Sequence, residues 1–243
     1  MRNTDQNLLV LTIYIIGITY VFNQMVSSID DRIKYEFIKS EVDDKLKQLE
    51  LDDKIGISFK LNSSYPLGEK KEDPKDQPLK ELSISIENKS ENIAIYVDWD
   101  NSSLVVEHTK QSHRIIRKSP DLIRDLGVPQ SPSLIVPKKT LSETFSAENL
   151  YQRDNDAGGI YSPKKPIIDI DGLKKNKSQG KLYNDFINGR EPLKFSLQLV
   201  LRLSEIRAGL APGAEYPPIS IIVCPFTVKK LPWTYALPWN KKK

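Results

Sequence analysis

The segment 82–107 constrains the fold more than any other part of this 243-residue chain, because its apolar residues alternate with polar ones. Apolar side chains occupy every second position over 82–86 and again over 93–97. A period of two is typical of a half-buried antiparallel strand. The stretches 88–92 and 100–103 are rich in Asn and Ser, which favour turns. The segment therefore predicts three strands joined by two turns.

Further strand signals lie on both sides of this segment. Alternating or apolar runs predict strands over 55–61, 112–118, 134–136, 140–147, 193–205 and 219–229. A Gly- and Pro-rich connection joins the last two, which predicts an antiparallel pair, and Pro225 predicts a bulge or an edge. Many short strands with frequent turns predict a mainly β fold. We expect an immunoglobulin-like antiparallel β-sandwich over 82–230, with an exposed insertion at 152–180.

The stretch 8–26 contains no charged residue. It is close to the roughly 20 residues with which a helix crosses a bilayer, so 1–28 is predicted to be a transmembrane segment. A cleaved signal peptide would need a basic cluster before the stretch and a small-residue cleavage site after it, and both are missing. The residues expected to anchor the chain in lipid include Leu8, Ile13, Ile16, Val21 and Phe22.

Basic residues after this stretch favour a cytoplasmic location for the rest of the chain, while the exported side stays open. Apolar residues, including Ile29, Ile33 and Phe37, then recur at three- and four-residue spacing. This spacing predicts an amphipathic stalk helix over 29–54, which would pack on the β domain or pair with a second copy. Residues 55–81 follow as a strand and a polar linker.

Charge and motifs narrow the possible functions. The 36 basic and 32 acidic residues are mixed along the chain and give a net charge of only +4, so we expect no nucleic-acid binding. Cys224 is the only cysteine, which rules out an intrachain disulfide. The sequence lacks the common nucleotide-binding, hydrolase and metalloprotease motifs. We therefore expect a non-enzyme without cofactor, metal or catalytic residue.

Two small groups of residues support an alternative hypothesis. Asp98 and Asp100 resemble a carboxylate pair, and His108 and His113 flank a predicted turn. Together they would suit a metal-dependent or acid/base hydrolase. A strand end entering an Asp-Asn turn and a solvated hairpin explain the same residues without catalysis.

The C-terminal arm, residues 231–243, has the most unusual local composition. It contains two Leu-Pro-Trp units and ends in three lysines. Such a segment suits a lipid interface, a glycan or a protein partner, or it packs back on the sandwich. The residues expected to bind a partner or lipid are Trp233, Tyr235, Trp239, Lys241, Lys242 and Lys243.

Four stretches carry a resemblance to known proteins: IENKSENIAIYVDWDNSSL, SHRIIRK, PLKFSLQLVLRLSE and FTVKKLPWTYALPWN. With them the chain resembles an uncharacterised family of bacterial single-pass membrane proteins, of the kind encoded by photosynthetic bacteria. The first stretch is also similar to sandwich domains of bacterial envelope proteins. The resemblance implies the sandwich and the anchor only, and it implies no catalytic residue. An internal photosynthetic membrane is a further location that we expect for such a chain.

These observations lead to one functional expectation. The chain is predicted to be a non-catalytic, membrane-anchored β-sandwich that binds or scaffolds a membrane-associated protein at the membrane surface, as an accessory of a membrane complex. Its partners would be the lipid bilayer, through residues 8–26, and that protein.

Overall fold

A computed structural model of the chain describes residues 2–30, 32–68, 77–118, 126–154, 160–205, 219–232 and 235. The helices in these ranges are α1 (Arg2–Asp30), α2 (Lys39–Gln48), α3 (Ile170–Lys175) and α4 (Gly180–Ile187), with short 3-10 turns at Glu148–Leu150 and Lys177–Gln179. The strands are β1 (Arg32–Phe37), β2 (Ile55–Lys60), β3 (Tyr65–Pro66), β4 (Leu82–Asn88), β5 (Ile93–Val106), β6 (Gln111–Arg117), β7 (Ser133–Ile135), β8 (Thr140–Ala147), β9 (Tyr151–Asp154), β10 (Ile160–Pro163), β11 (Leu193–Glu205) and β12 (Ile219–Lys230).

Ten of these strands form one curled antiparallel sheet in the order β2-β4-β8-β6-β5-β11-β12-β1-β3, with β7 paired to β5. Strands β9 and β10 form a separate hairpin. The curl occurs at β6, because residues 111–114 pair with β5 whereas residues 115–117 pair with β8. Helix α2 contacts both β12 and β2, which lie towards opposite ends of this strand order.

A single hydrophobic core fills the inside of the curl. Trp99 and Phe145 lie in it with no exposed surface, and their ring centroids are 6.2 Å apart. The rings of Phe195 and Phe226 stack in parallel with centroids 4.7 Å apart. The prediction of a mainly antiparallel β fold is confirmed, and its curled sheet is consistent with a β-sandwich. The immunoglobulin-like assignment stays a prediction.

The predicted antiparallel pairing of the last two long strands is confirmed, and the surroundings of Pro225 explain how a proline fits there. The C=O of Pro225 accepts a 3.0 Å hydrogen bond from the N–H of Ile38. The proline nitrogen therefore faces the same side, where β1 has just ended at Phe37. No ladder hydrogen bond is lost at that position.

The predicted stalk helix over 29–54 is wrong at 32–37, which form strand β1; residues 29–30 end α1 and residues 39–48 form the separate helix α2. Ile33 and Phe37 fit a helical spacing of four and an alternation of two equally well. Tyr35 decides between them, because it is buried together with Ile33 while Lys34 and Glu36 are not. Pairing with β12 stabilises the strand.

The predicted turn at 100–103 is also wrong, because β5 runs without reversal through it. Hydrogen bonds between side chain and backbone that are typical of a turn are nevertheless present at Asp98 and Ser102. Opposite these residues the register with β11 shifts between Gln198 and Val200, so the extra residues of β5 form a bulge.

The segment 152–180 differs from the exposed insertion that we expected. Ile167, Ile168, Ile170 and Leu173 are all buried in the main core. Helix α3 begins within this segment, with the carboxylate of Asp169 accepting a hydrogen bond from the N–H of Gly172 as an N-cap.

Helix α1 has 29 residues, and its side chains are described from position 6 to position 22. Within this part, the large apolar side chains are more than half exposed, from Leu8 at 67% to Phe22 at 51%; Ile13, Ile16 and Val21 are among them. Among the described residues, however, no helix is sufficiently long and apolar to cross a membrane. The predicted span over 8–26 is therefore not confirmed.

Candidate functional site

Outward-facing side chains on four neighbouring strands form an exposed surface on the β domain. The register pairs Leu134 of β7 with Tyr96 of β5, Tyr96 with Arg202 of β11, and Arg202 with Ile219 of β12. Directly paired residues of antiparallel strands share one face of the sheet. Three strand spacings of about 4.8 Å make this row about 14 Å wide.

Strand β12 contributes the most exposed apolar side chains of this surface. Ile219, Ile221 and Val223 are 60%, 53% and 40% exposed, whereas the alternate residues Ile222 and Cys224 are fully buried. The strand is thus apolar on both faces. We use the name outer patch for Tyr96, Leu134, Ile219, Ile221 and Val223 together with the central ion pair Asp98–Arg202.

The ion pair is held in place by the bulge of β5. Arg202 Nη2 donates a 2.6 Å hydrogen bond to Asp98 Oδ2, and the side-chain amide of Asn101 donates to the same oxygen at 2.9 Å. Burial raises the pKa of Asp98, but the hydrogen bonds from Asn101 and Arg202 outweigh it and the net pKa lies below its ordinary value. The carboxylate is therefore charged at neutral pH and its charge is balanced by Arg202.

Ser102 fixes the bulge against the neighbouring strand. Its hydroxyl donates to the C=O of Asp98 at 2.5 Å and accepts a 3.0 Å hydrogen bond from the backbone N–H of Val200. Ser102 is 1% exposed, so this hydroxyl replaces a ladder partner that the register shift removes. The bulge thereby holds Asp98 at the centre of the outer patch.

The composition of the outer patch suits protein binding better than catalysis. Aliphatic residues around a Tyr and an Arg are typical of the residues that contribute most to protein interfaces. The one carboxylate in the patch is occupied by hydrogen bonds from Arg202 and Asn101, so it lacks the freedom expected of a general base.

Asp100 serves a different part of the chain from Asp98. Its carboxylate accepts hydrogen bonds from Arg114 Nη1 at 3.3 Å and from the backbone N–H of Gln130 at 2.8 Å. It thereby ties β5 to β6 and to the segment that leads into β7. The two aspartates, predicted as a possible catalytic pair, are each held by their own arginine.

His108 and His113 line one cavity of about 200 Å³ together with Asp169 and Lys165. Burial lowers the pKa of His108. Neither imidazole hydrogen-bonds to Asp98 or Asp100 within the described ranges. In that same part of the chain, no group of three or more His, Cys, Asp or Glu residues could hold a metal ion. The arrangement does not favour the hydrolase hypothesis.

The C-terminal arm begins beside the end of α1. The N–H of Leu231 donates a 2.9 Å hydrogen bond to the C=O of Arg32, and Leu231 is buried. Further along, the hydroxyl of Tyr235 donates to the C=O of Ser63 at 3.5 Å. These two residues pack back on the domain, as one of the sequence alternatives expected. Trp233, Trp239, Lys241, Lys242 and Lys243 lie outside the described residues.

The outer patch was not predicted from the sequence. One signal was present in β12, because a nearly continuous apolar run such as ISIIVC predicts a strand with two apolar faces, of which only one can face the core. The positions of Leu134, Tyr96 and Arg202 beside it depend on strand register, which the sequence does not state.

The chain matches no protein-family model, no curated protein and no solved structure. The family resemblance described above therefore stays a prediction.

Proposed function

We propose that this protein is a non-catalytic, single-pass membrane-anchored β domain that binds a membrane-associated protein through the outer patch. The proposal places the β domain on the cytoplasmic side, as the basic residues after 8–26 favour. The observation that carries it is the row of exposed apolar side chains Ile219, Ile221 and Val223 next to a balanced ion pair.

Lipid is the proposed environment of α1 because its described part has no polar face. Exposed apolar side chains surround the helix from Leu8 to Phe22. The hydroxyls of Thr12 and Thr19 each donate to the C=O four residues earlier, both at 2.8 Å. Such internal pairing satisfies polar groups that water cannot reach. A helix that packs on one protein partner keeps a polar side instead.

The outer patch lies too far from α1 along β12 to be covered by the lipid that is proposed to surround α1. Ile33, near the end of α1, pairs with Lys230 at one end of β12, whereas Ile221 lies nine residues earlier. At about 3.3 Å per residue this is a separation of up to about 30 Å. A protein partner beside the membrane is the cover that fits this position.

The size of the patch fits the centre of an interface. The patch is about 14 Å wide across the strands. This is smaller than a whole stable interface, which covers about 800 Å² on each partner. The partner must therefore also contact the polar residues around the patch, which form a rim.

Charge substitution in the patch tests this proposal. Ile221→Lys places an ammonium group in the contact, and Ile160→Lys makes the same change at a 41% exposed position of the β9–β10 hairpin. Each variant is purified from native membranes in mild detergent. We expect a protein that co-purifies with wild type and with Ile160→Lys and is depleted at least about tenfold with Ile221→Lys. Equal recovery with both variants would overturn the proposal.

A second proposal concerns the C-terminal arm, which we infer contacts the same bilayer that holds α1. The hydrogen bond between Leu231 and Arg32 supports it, because the arm starts where α1 ends. Trp rings and lysines suit the lipid interface. Brominated lipids should quench Trp fluorescence of the reconstituted chain more than the fluorescence of Trp99 allows, because Trp99, the one tryptophan among the described residues, is buried in the core. Quenching that is unchanged after Trp233→Phe with Trp239→Phe would contradict it.

A further inference from the structure

A mixed-charge cleft lies at the end of the β domain from which α1 emerges. It has a volume of about 340 Å³ and is lined by Ile33 and Tyr35 of β1, by residues 66–68 and by the segment from Lys164 to Asp171, with Lys175 of α3. Ile33 is three residues beyond the end of α1, a distance of at most about 10 Å along the chain. The volume is within the range of small-ligand pockets, about 300–1,000 Å³.

The carboxylates of the cleft are positioned by the alternating segment 168–171. Ile168 and Ile170 are buried in the core, whereas Asp169 and Asp171 are exposed; one oxygen of Asp169 also accepts the N-cap hydrogen bond of α3. Asp171 lies over Gly68, where a Cβ would come within 3.0 Å of Asp171 Oδ2. The glycine therefore lets the carboxylate sit close to the backbone at the wall of the cleft.

Lysines line the same space as these carboxylates. They are the exposed residues Lys164, Lys165 and Lys175. A simple anion would be attracted by the lysines and repelled by the aspartates, and a metal cation would meet the opposite pattern. A small molecule that carries one ammonium and one phosphate group matches both signs at once.

We infer that the cleft binds the zwitterionic headgroup of a phospholipid, with the phosphate on Lys165 and Lys175 and the ammonium on Asp169 and Asp171. The assignment of the headgroup to a membrane lipid rests on the proposed membrane anchoring, whereas the match of charges does not. A phosphoethanolamine headgroup has eight non-hydrogen atoms, so at about 30 Å³ for each water-sized group it needs about 240 Å³, which the cleft provides.

The test is calorimetric titration of the full chain in non-ionic detergent with the soluble probe glycerophosphoethanolamine. Asp171→Asn and Lys175→Gln should each raise the dissociation constant about five- to tenfold. Lys174→Gln, which changes the neighbouring lysine of α3 outside the cleft, should leave it unchanged. Inorganic phosphate and ethanolamine alone should bind at least about tenfold more weakly. Equal binding of inorganic phosphate, no binding of the probe, or an equal loss with Lys174→Gln would overturn the inference.

The lipid source is tested by repeating the titration in nanodiscs. Phosphatidylethanolamine discs should raise the apparent dissociation constant of the soluble probe relative to phosphatidylglycerol discs, because the lipid headgroup competes for the cleft. Absence of competition while the soluble probe still binds would overturn the lipid source. Membrane retention of the chain, measured on the same preparations, reports separately on the anchoring proposal.

Discussion

Arg202 of β11 donates a 2.6 Å hydrogen bond to the carboxylate of Asp98 in the bulge of β5. The pair joins two central strands of the curled sheet on the face that points away from the core. It also neutralises the one acidic group in the outer patch, so that the surrounding apolar side chains can be covered by a partner without leaving a charge unpaired. Fold and proposed function therefore depend on the same contact.

Replacing Asp98 should destabilise the domain in a pH-dependent way. Asp98→Asn removes the charge that Arg202 and Asn101 bind, so we expect a loss of about 1–3 kcal/mol in the free energy of unfolding at neutral pH. Because the folded pKa lies below the ordinary value of 3.8, this contribution is complete above that value and disappears as the pH falls through the folded pKa. The difference between wild type and variant should therefore shrink in urea unfolding series as the pH is lowered below 3.8. Asp53→Asn, at an exposed position, serves as the control, and a difference that is constant over this range would contradict the account.

Ser102→Ala should unpair the buried N–H of Val200. An unsatisfied buried backbone group costs about 1–3 kcal/mol, and we expect that loss in urea unfolding at neutral pH. Ser103→Ala, one residue along the same strand, removes only a 3.5 Å contact with Gln198 and should cost much less. Equal stability of the two variants would show that the bulge does not depend on the Ser102 hydroxyl.

Cys224 should be unreactive in the folded protein. Its side chain has no exposed surface, and burial raises the pKa of the thiol to about 12, so almost no thiolate forms at neutral pH. We expect no maleimide adduct by mass spectrometry under native conditions and one adduct in urea. Ser58→Cys at an exposed position of β2 should add one adduct immediately. Rapid native labelling of wild type would mean that β12 is not packed as described.

Lysines in the middle of α1 should weaken retention of the chain in membranes. Ile13→Lys with Ile16→Lys introduces two charges, each of which costs about 2.5–3.5 kcal/mol at the centre of a lipid-embedded helix. Carbonate extraction should move the variant to the supernatant while wild type stays in the pellet. Leu49→Lys, an exposed apolar position outside α1, should behave as wild type; retention of the α1 variant would contradict lipid insertion.

Local alternation was a reliable guide to the strands because burial on one face leaves a signal in every second residue. It predicted β4, β8, β11 and β12 close to their observed bounds. Over 32–37 the periodicity misled because Ile33 and Phe37 fit two periods. At 100–103 the prediction from turn-forming residues failed because Asp98, Asn101 and Ser102 use their turn-forming hydrogen bonds inside a bulge.

The remaining differences depend on contacts between distant parts of the chain. The isoleucines at 167–170 stand among Lys, Pro and Asp, so their burial is set by the core that they reach and not by their neighbours. The outer patch combines residues from β5, β7, β11 and β12, and only the register brings Leu134 and Ile219 into one row. Apart from the apolar run of β12, neither feature has a local sequence signature.

Photo-crosslinking from the outer patch shows whether a membrane-associated protein covers this surface. A photoreactive amino acid replaces Ile221, and in a matched control it replaces Ser58, an exposed residue of β2. After irradiation of native membranes, adducts are identified by mass spectrometry. The account predicts one reproducible membrane-associated protein crosslinked from position 221 and absent from position 58. Adducts to the chain itself, to lipid alone, or equally from both positions would contradict it.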